Sequence, residues 1–242
     1  MRSLALLLGC LICALRLSGA EFDAANQLYD AGKFAEAKAA YEKLVSEGKG
    51  SANLFYNLGN ASQRLGAPGE AILSYERALA LDPSHPEAQA NLSFVRGQSG
   101  GVPWPVSWLD RPFSERWTDA YVLAGTIAGW LAVFALARVF LTPRGDKSAL
   151  WFGAAVALTV ACFSAVAVWR LEQDRALAIV LPKTVEARLA PAESSGSAAV
   201  LPAGSQVRVL NERGEWTYCA LPTQGRGWIL AKALGRVRSN AS

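Results

Sequence analysis

Side chains able to do chemistry are few. The chain holds one histidine, His85, and four cysteines, Cys10, Cys13, Cys162 and Cys219. Cys10 and Cys13 make a C-x-x-C, the spacing of a thiol redox pair, but they sit inside an apolar N-terminal run. Cys162 falls in a second apolar run, and Cys219 stands alone near the C-terminus. A thiol nucleophile needs a base, and no exported cysteine has a histidine partner. There is no phosphate-cradling glycine loop and no cluster of metal-ligand spacing. Carboxylates fall mainly on helix surfaces. The expectation is a protein that is not an enzyme, with no catalytic residue, cofactor or metal.

Composition sets the next bound. Of 242 residues, 52 % are apolar and 18 % charged, against a usual quarter charged. The mean hydropathy of +0.18 suggests that part of the chain lies in lipid. A net charge of +4, dispersed along the chain, does not point to nucleic acid.

The N-terminus has the form of a secretory signal. Arg2 precedes the apolar core Leu4 to Leu15, and Ser18-Gly19-Ala20 supplies small residues for cleavage after Ala20. Arg16 cuts the run short of the ~20 residues a span needs, which argues against an uncleaved anchor. A lipoprotein reading at Leu7-Leu8-Gly9-Cys10 leaves almost no apolar core before the cysteine. Two later runs are long enough to span: 18 uncharged residues from Ala120 to Ala137, and 22 from Ser148 to Trp169. Arg144 and Lys147 lie between them, and basic short loops mark the cytoplasmic side. Signal and loop agree on one topology, with residues 21–119 and 171–242 outside. Trp104, Trp108 and Trp117 before the first run, and Trp151 and Trp169 around the second, have aromatic-belt placement.

Within the runs, Gly125 and Gly129 form a G-x-x-x-G. Gly153, Ala157, Ala161 and Ala165 repeat every four residues. Small side chains on one helix face let backbones approach, so these six predict a packed seam within the hairpin, or else a dimer face.

Sliding the sequence against itself gives an offset of 34. Asn26 matches Asn60, Gly32 matches Gly66, Glu36-Ala37 matches Glu70-Ala71, and Tyr41-Glu42 matches Tyr75-Glu76. With Gly59, Ala78 and Pro83, the second copy resembles a tetratricopeptide repeat: small residues bring two helices together and the aromatic fills the groove. The first copy, about 18–51, is less regular. Residues Pro86 to Arg96 begin a third copy, stop at Gly97, and read as a capping helix. The resemblance implies peptide binding on the face of the first helices, where Asn26, Tyr29, Asp30, Tyr56, Asn60, Gln63 and Arg64 fall. Asn26, Tyr56, Asn60 and Arg64 are the candidate peptide-binding residues. Residues 21–100 carry 7 basic and 10 acidic side chains, which favours a basic or neutral partner.

After Arg175 the pattern changes to short runs: 178–181, 184–188, 206–210, 216–220 and 227–230, separated by Gly and Pro turns. Five strands predict a small all-β barrel. The order Leu201-Pro-Ala-Gly, Val207-Arg-Val-Leu, Gly214-Glu-Trp, Gly227-Trp-Ile resembles a bacterial SH3-like domain. Such domains bind peptide or cell-wall fragments in an aromatic groove, for which Trp216, Tyr218 and Trp228 are the candidates. The other reading places at least one of these rings in the barrel core. From residue 176 onward there are 8 basic and 4 acidic side chains, compatible with an anionic lipid or wall surface.

The fold class expected is therefore a multidomain membrane protein. Its parts are a signal peptide (1–20), an all-α repeat segment with its cap (21–97), and a linker with an interfacial stretch (98–118). A two-helix transmembrane hairpin follows (119–141 and 149–170, joined by 142–148), then an all-β SH3-like domain (176–238). This order of parts resembles the BatE-type aerotolerance proteins. That resemblance implies a scaffold or adaptor in a bacterial inner membrane, with both terminal domains in the periplasm. It also implies partners among von Willebrand factor A-type membrane proteins and a MoxR-type ATPase system, in oxygen tolerance or envelope stress. The alternative is a cell-wall-binding sensor acting through the SH3-like domain.

Overall fold

The computed structural model describes residues 19–105, 118–141, 147–223 and 225–238. Residues 1–18 of the expected signal peptide, with Cys10 and Cys13, residues 106–117 of the expected interfacial stretch, with Trp108 and Trp117, and Arg144 lie outside the described residues. The chain divides into two compact units, residues 1–104 with 177–242, and residues 105–176.

The first unit opens with helical residues 19–30 (α1). There follow α2 (Phe34–Ser46), α3 (Ala52–Arg64), α4 (Pro68–Leu81) and α5 (Pro86–Ser99). Local chemistry sets these bounds. The Ser51 side chain accepts from the Leu54 N–H, and a proline occupies the first turn of both α4 and α5. The αL turn after a first helix recurs at Gly32 (φ 76°) and Gly66 (φ 72°), 34 residues apart. The expected stop at Gly97 is not one; α5 continues to Ser99 and ends at Gly100, φ 71°. Gly97 lies inside the helix, where a glycine is tolerated at a cost of about 1 kcal/mol.

Small residues do close the helix pairs. A Cβ on Gly59 of α3 would lie 2.6 Å from the Tyr75 ring of α4, so that ring rests on the backbone of the facing helix. Tyr41 and Tyr75 are both fully buried.

Residues 177–236 form one antiparallel sheet of seven strands, in the order β3-β2-β6-β5-β4-β1-β7. The strands are β1 (Leu177–Val180), β2 (Thr184–Arg188), β3 (Ser197–Pro202), β4 (Gln206–Arg213), β5 (Trp216–Ala220), β6 (Arg226–Leu230) and β7 (Leu234–Arg236). A 3₁₀ turn, Ala231–Ala233, separates the last two. The expected strand count of five is corrected: the described residues form seven, and their ladder has two ends, β3 and β7, so the sheet is not closed. A bulge at Val209/Asn211 interrupts the β4–β5 ladder. The sheet's own core holds Val180, Val207, Cys219, Ile229 and neighbours.

Strand β1 is buried on both faces. Ala178 and Val180 enter the sheet core, while Ile179 joins Ile72, Leu73, Leu92 and Val95 of α4 and α5. Burying a side chain such as Ile72 or Ile179 contributes ~1.5–3 kcal/mol. The approach is close enough that a Cβ on Gly69 would sit 2.2 Å from the Leu181 carbonyl oxygen. Polar bonds cross the same contact. Arg77 donates to the Arg236 carbonyl (2.8 and 3.2 Å), and Gln206 Nε2 donates to Glu76 Oε1 (2.8 Å), which also pairs with Arg96.

The expected linker is partly held. Gln206 N donates to the Val102 carbonyl (2.9 Å), Val102 N to Ser205 Oγ (3.2 Å), and Arg208 lies 4.5 Å over the Trp104 ring. Repeat segment and sheet are thus one body, although the chain places them on either side of the second unit.

The second unit is a pair of helices, α6 (Thr118–Leu141) and α7 (Ser148–Arg175). Asp119–Leu141 and Ser148–Arg170 are long and apolar enough to cross a membrane, and only 11 % and 17 % of their most apolar windows is buried. Helices in the core of a soluble protein would be mostly buried. Here large apolar side chains such as Trp130, Phe134 and Phe152 point outward.

Candidate functional site

Two strips of asparagine and tyrosine organise the face of the first helices. Tyr41 donates to Asn26 Oδ1 (2.7 Å), and Asn57 Nδ2 donates to the same oxygen (2.9 Å). The pattern recurs 34 residues on: Tyr75 donates to Asn60 Oδ1 (2.7 Å), and so does Asn91 Nδ2 (2.9 Å). Tyr75 also reaches Gln63 Oε1 (3.1 Å). Each asparagine oxygen therefore ties its own second helix to the next first helix. Burial pushes the Tyr41 phenol up to about 12, with Asp30 and Tyr29 adding to the effect, and raises Tyr75 as well. Both phenols are donors under ordinary conditions.

Of the four candidate peptide-binding residues, Asn26 and Asn60 thus spend their carbonyl oxygens inside the stack. Arg64 is exposed at the C-terminal end of α3, its guanidinium 4.3 Å over the Phe34 ring. Tyr56 lines a cleft of about 490 Å³ at the other end of α3. Its ring stands 5.0 Å from that of His85, at 35°. The cleft is walled by Phe22 of α1, by Asn53 and Asn57 of α3, and by the turn from Asp82 to Glu87 that starts α5.

His85, 8 % exposed, is the N-cap of α5; its Nδ1 accepts from the Ala88 N–H (3.3 Å). Ser84 donates both its N–H (3.0 Å) and its hydroxyl (2.7 Å) to Asp82 Oδ1, and these bonds hold the Asp82 carboxyl below the usual carboxylate range. The sequence reading missed Phe22, Asn53, Asp82, His85 and Glu87 as cleft residues. Phe22 and Asn53 stand four and three residues before Asn26 and Tyr56, on the same helix faces, so spacing could have found them.

In the sheet, Tyr218 of β5 is paired in register with Trp228 of β6, their rings 4.9 Å apart and tilted 35°. Trp216 lies two residues before Tyr218 on the same face. All three are half-buried, while their strand neighbours Thr217, Cys219, Gly227 and Ile229 are buried. The core reading of these rings is therefore corrected: strand alternation sets them on the face opposite the sheet core.

Between α6 and α7, a Cβ on Gly125 would lie 2.7 Å from Ser164 Cβ. Gly129 and Gly153 have nothing within 4 Å of that position. Ala157 is buried, Ala161 half-buried, and Gly153 and Ala165 exposed. The contact runs along Gly125, Ala128, Ala132 and Val139 on α6, and Ala154, Ala157, Ser164 and Ala167 on α7. Positions strictly four apart drift about 40° per step round a 3.6-residue helix, so steps of three must alternate with steps of four to stay on a seam. Among the described residues, no group of three or more His, Cys, Asp or Glu could hold a metal ion.

Residues 22–86 match the family model of the tetratricopeptide repeat. The match covers about a quarter of the chain and supports the tetratricopeptide reading of this segment. Two curated relatives match over a similar length, and both bear the name probable biofilm formation methyltransferase WspC. The one from Pseudomonas aeruginosa is 41 % identical over 85 residues, 34 % of this chain and 20 % of the relative. The one from Pseudomonas putida is 32 % identical over 76 residues, 31 % of this chain and 18 % of the relative. The chain thus spans about a fifth of the length of the curated relatives it matches. The tetratricopeptide repeats suggest protein–protein interaction.

Proposed function

We propose that the chain is a non-enzymatic, membrane-anchored adaptor. Its repeat segment, carried with the sheet as one body, binds a protein partner. The observation that carries this reading is the open cleft on the first-helix face, where Asn53 is exposed and the half-buried Tyr56 ring lies beside the Asn–Tyr ladder, its hydroxyl 3.5 Å from Asn91 Nδ2. The methyltransferase name of the relatives is not carried over, because the similarity is to a tetratricopeptide region.

Anchoring rests on α6 and α7 crossing a bilayer. Two crossings return the chain to the side it left. The repeat segment precedes the hairpin and the sheet follows it, so their packing into one body requires an even number of crossings. The signal-like N-terminus, together with Arg144 and Lys147 between the helices, favours the outer face of a bacterial inner membrane. The resemblance to BatE-type proteins adds candidate partners, von Willebrand factor A-type membrane proteins and a MoxR-type ATPase system, and a role in oxygen tolerance.

A second reading is a cell-wall sensor, favoured by the Trp216–Tyr218–Trp228 face turned away from the sheet core. Its SH3-like character rests on the turn and tryptophan pattern rather than on a closed barrel.

Pull-down from gently solubilised membranes separates the readings. An adaptor recovers specific proteins, and Tyr56→Ala with Asn53→Ala removes them while helical content is kept. Recovery unchanged by those substitutions contradicts the cleft as the site. Binding to isolated peptidoglycan that is lost in Trp228→Ala supports the sensor.

A further inference from the structure

We infer that the groove between α6 and α7 is the docking face for a second copy of this chain, fastened by hydrogen bonds from Ser164 of each copy to Thr126 of the other. This rests on the reading of α6 and α7 as membrane-crossing helices.

The groove measures about 610 Å³. Val122, Gly125 and Thr126 line it from α6, and Ala161, Ser164 and Ala165 from α7. Ser164 is only 4 % exposed. Thr126 and Thr159 each donate to the carbonyl four residues back, at 2.8 and 2.9 Å. Ser164 makes no such bond; among the described residues its hydroxyl has no hydrogen-bond partner. Its Oγ would stand 3.4 Å from a Cβ at Gly125, so the space beside the oxygen is open because residue 125 has no side chain. A donor left unpaired in hydrocarbon, where no water can serve it, is costly. The site is incomplete until an acceptor enters the groove.

That acceptor must lie at the depth of Ser164, six residues before the end of the Ser148–Arg170 span. At 1.5 Å per residue this is about 9 Å inside the apolar layer, below the ester groups of a lipid. An acyl chain would therefore fill the groove without pairing Ser164. The backbone carbonyls of a partner helix already accept within that helix, so a side-chain oxygen is needed. A second copy related by a two-fold axis along the membrane normal presents every residue at its own depth, and such an interface is self-complementary. The groove supplies its own match. Thr126 is exposed and lies across the groove from Ser164; its proton is spent on the Val122 carbonyl, and its oxygen can still accept.

The backbones can also come close. Gly129 stands about 40° round α6 from Gly125, toward Val122 and Thr126, and nothing lies within 4 Å of a Cβ built there. Ala165 is exposed on the facing wall. The hairpin seam uses neither, and small residues of this kind let transmembrane helices approach.

The test uses the full chain with Cys10, Cys13, Cys162 and Cys219 changed to alanine and Lys232→Cys, an exposed position, as the dye site. Donor-labelled and acceptor-labelled copies are reconstituted together in liposomes, and energy transfer is followed as lipid is added. Ser164→Ala and Thr126→Val should each weaken the dimer about threefold or more, and the double variant should be no weaker than either, because all three lose the same bonds. Gly129→Leu should weaken it about tenfold or more. Phe152→Leu, at a position 73 % exposed and off the groove, should leave it unchanged. The decisive arm mixes Ser164→Ala copies with Thr126→Val copies. Such a mixed pair regains one of the two bonds, so transfer between the variants should exceed transfer within either. Equal transfer within and between them would overturn the proposed bond, and a dimer unmoved by the groove substitutions would overturn the docking face. A chain that floats with the liposomes as a monomer would overturn the dimer and leave the membrane reading standing. A chain that does not float would overturn both.

Discussion

Gly69 in the first turn of α4 lies against the backbone of β1, its hydrogen where a Cβ would come within 2.2 Å of the Leu181 carbonyl oxygen. A helical glycine replaced by alanine normally gains stability. Here the sign reverses, because the obstacle is main chain that cannot rotate aside. Gly69→Ala should lower the stability of the first unit by ~1–3 kcal/mol, the usual cost of overpacking. Gly97→Ala, with open space around it, should be neutral or stabilising. Urea unfolding followed by tryptophan fluorescence compares them. Equal midpoints for the two variants would show that α4 and β1 do not pack this way.

Alkali should loosen the repeat stack. Tyr41 and Tyr75 have folded pKa values raised above the ordinary phenol value near 10. Above that value the unfolded chain binds fewer protons than the folded one, so stability falls as pH rises from about 10 toward about 12. Tyr41→Phe should be less stable at pH 8, having lost its bond to Asn26, yet show a flatter decline between pH 9.5 and 11. Parallel declines for both proteins would show that this phenol does not set the slope.

Cys219 should be chemically silent. It is fully buried, and burial pushes its thiol up to about 12. In a background with Cys10, Cys13 and Cys162 changed to serine, at pH 8, a maleimide should label Cys219 only after urea unfolds the sheet. Rapid labelling of the native protein would contradict a packed core there.

The helix pair makes a positional prediction. Cysteines at Gly125 and Ser164, in a background lacking Cys10, Cys13, Cys162 and Cys219, should form a disulfide within one chain. Cysteines at Gly129 and Gly153, both off the contact, should not. Cross-links found only between chains would move the Gly125 face to a dimer interface.

Much of this was legible in the sequence. The 34-residue offset carries both the repeat and the Asn26–Tyr41–Asn57 ladder, because identical contacts need identical spacing. The small residues of α6 and α7 were also visible, but a step of four alone could not track a seam that needs three and four together. Strand β1 carries a further signal. Its unbroken apolar run, Ala178 to Leu181, is the pattern of a strand covered on both faces, whereas alternation would mark one exposed face. What covers the second face, α4, lies over 90 residues earlier, beyond any local pattern. Strand β3 was missed because Ser197 to Leu201 is alanine-rich and lacks clear alternation, and β7 has only three residues. The acidic cleft was hidden for a similar reason: Phe22 and Glu87 are brought together only by stacking three first helices.

If α6 and α7 cross a membrane, repeat segment and sheet, being one compact unit, lie on the same side of it. Side-selective labelling tests it most directly. Single cysteines replace Ser84 in the turn before α5 and Lys232 in the 3₁₀ turn, both exposed, in a background lacking Cys10, Cys13, Cys162 and Cys219. A membrane-impermeant maleimide is added to intact spheroplasts. The account predicts that both positions are labelled from outside, and neither from the cytoplasmic side of inverted vesicles. Labelling of the two positions from opposite sides would contradict it.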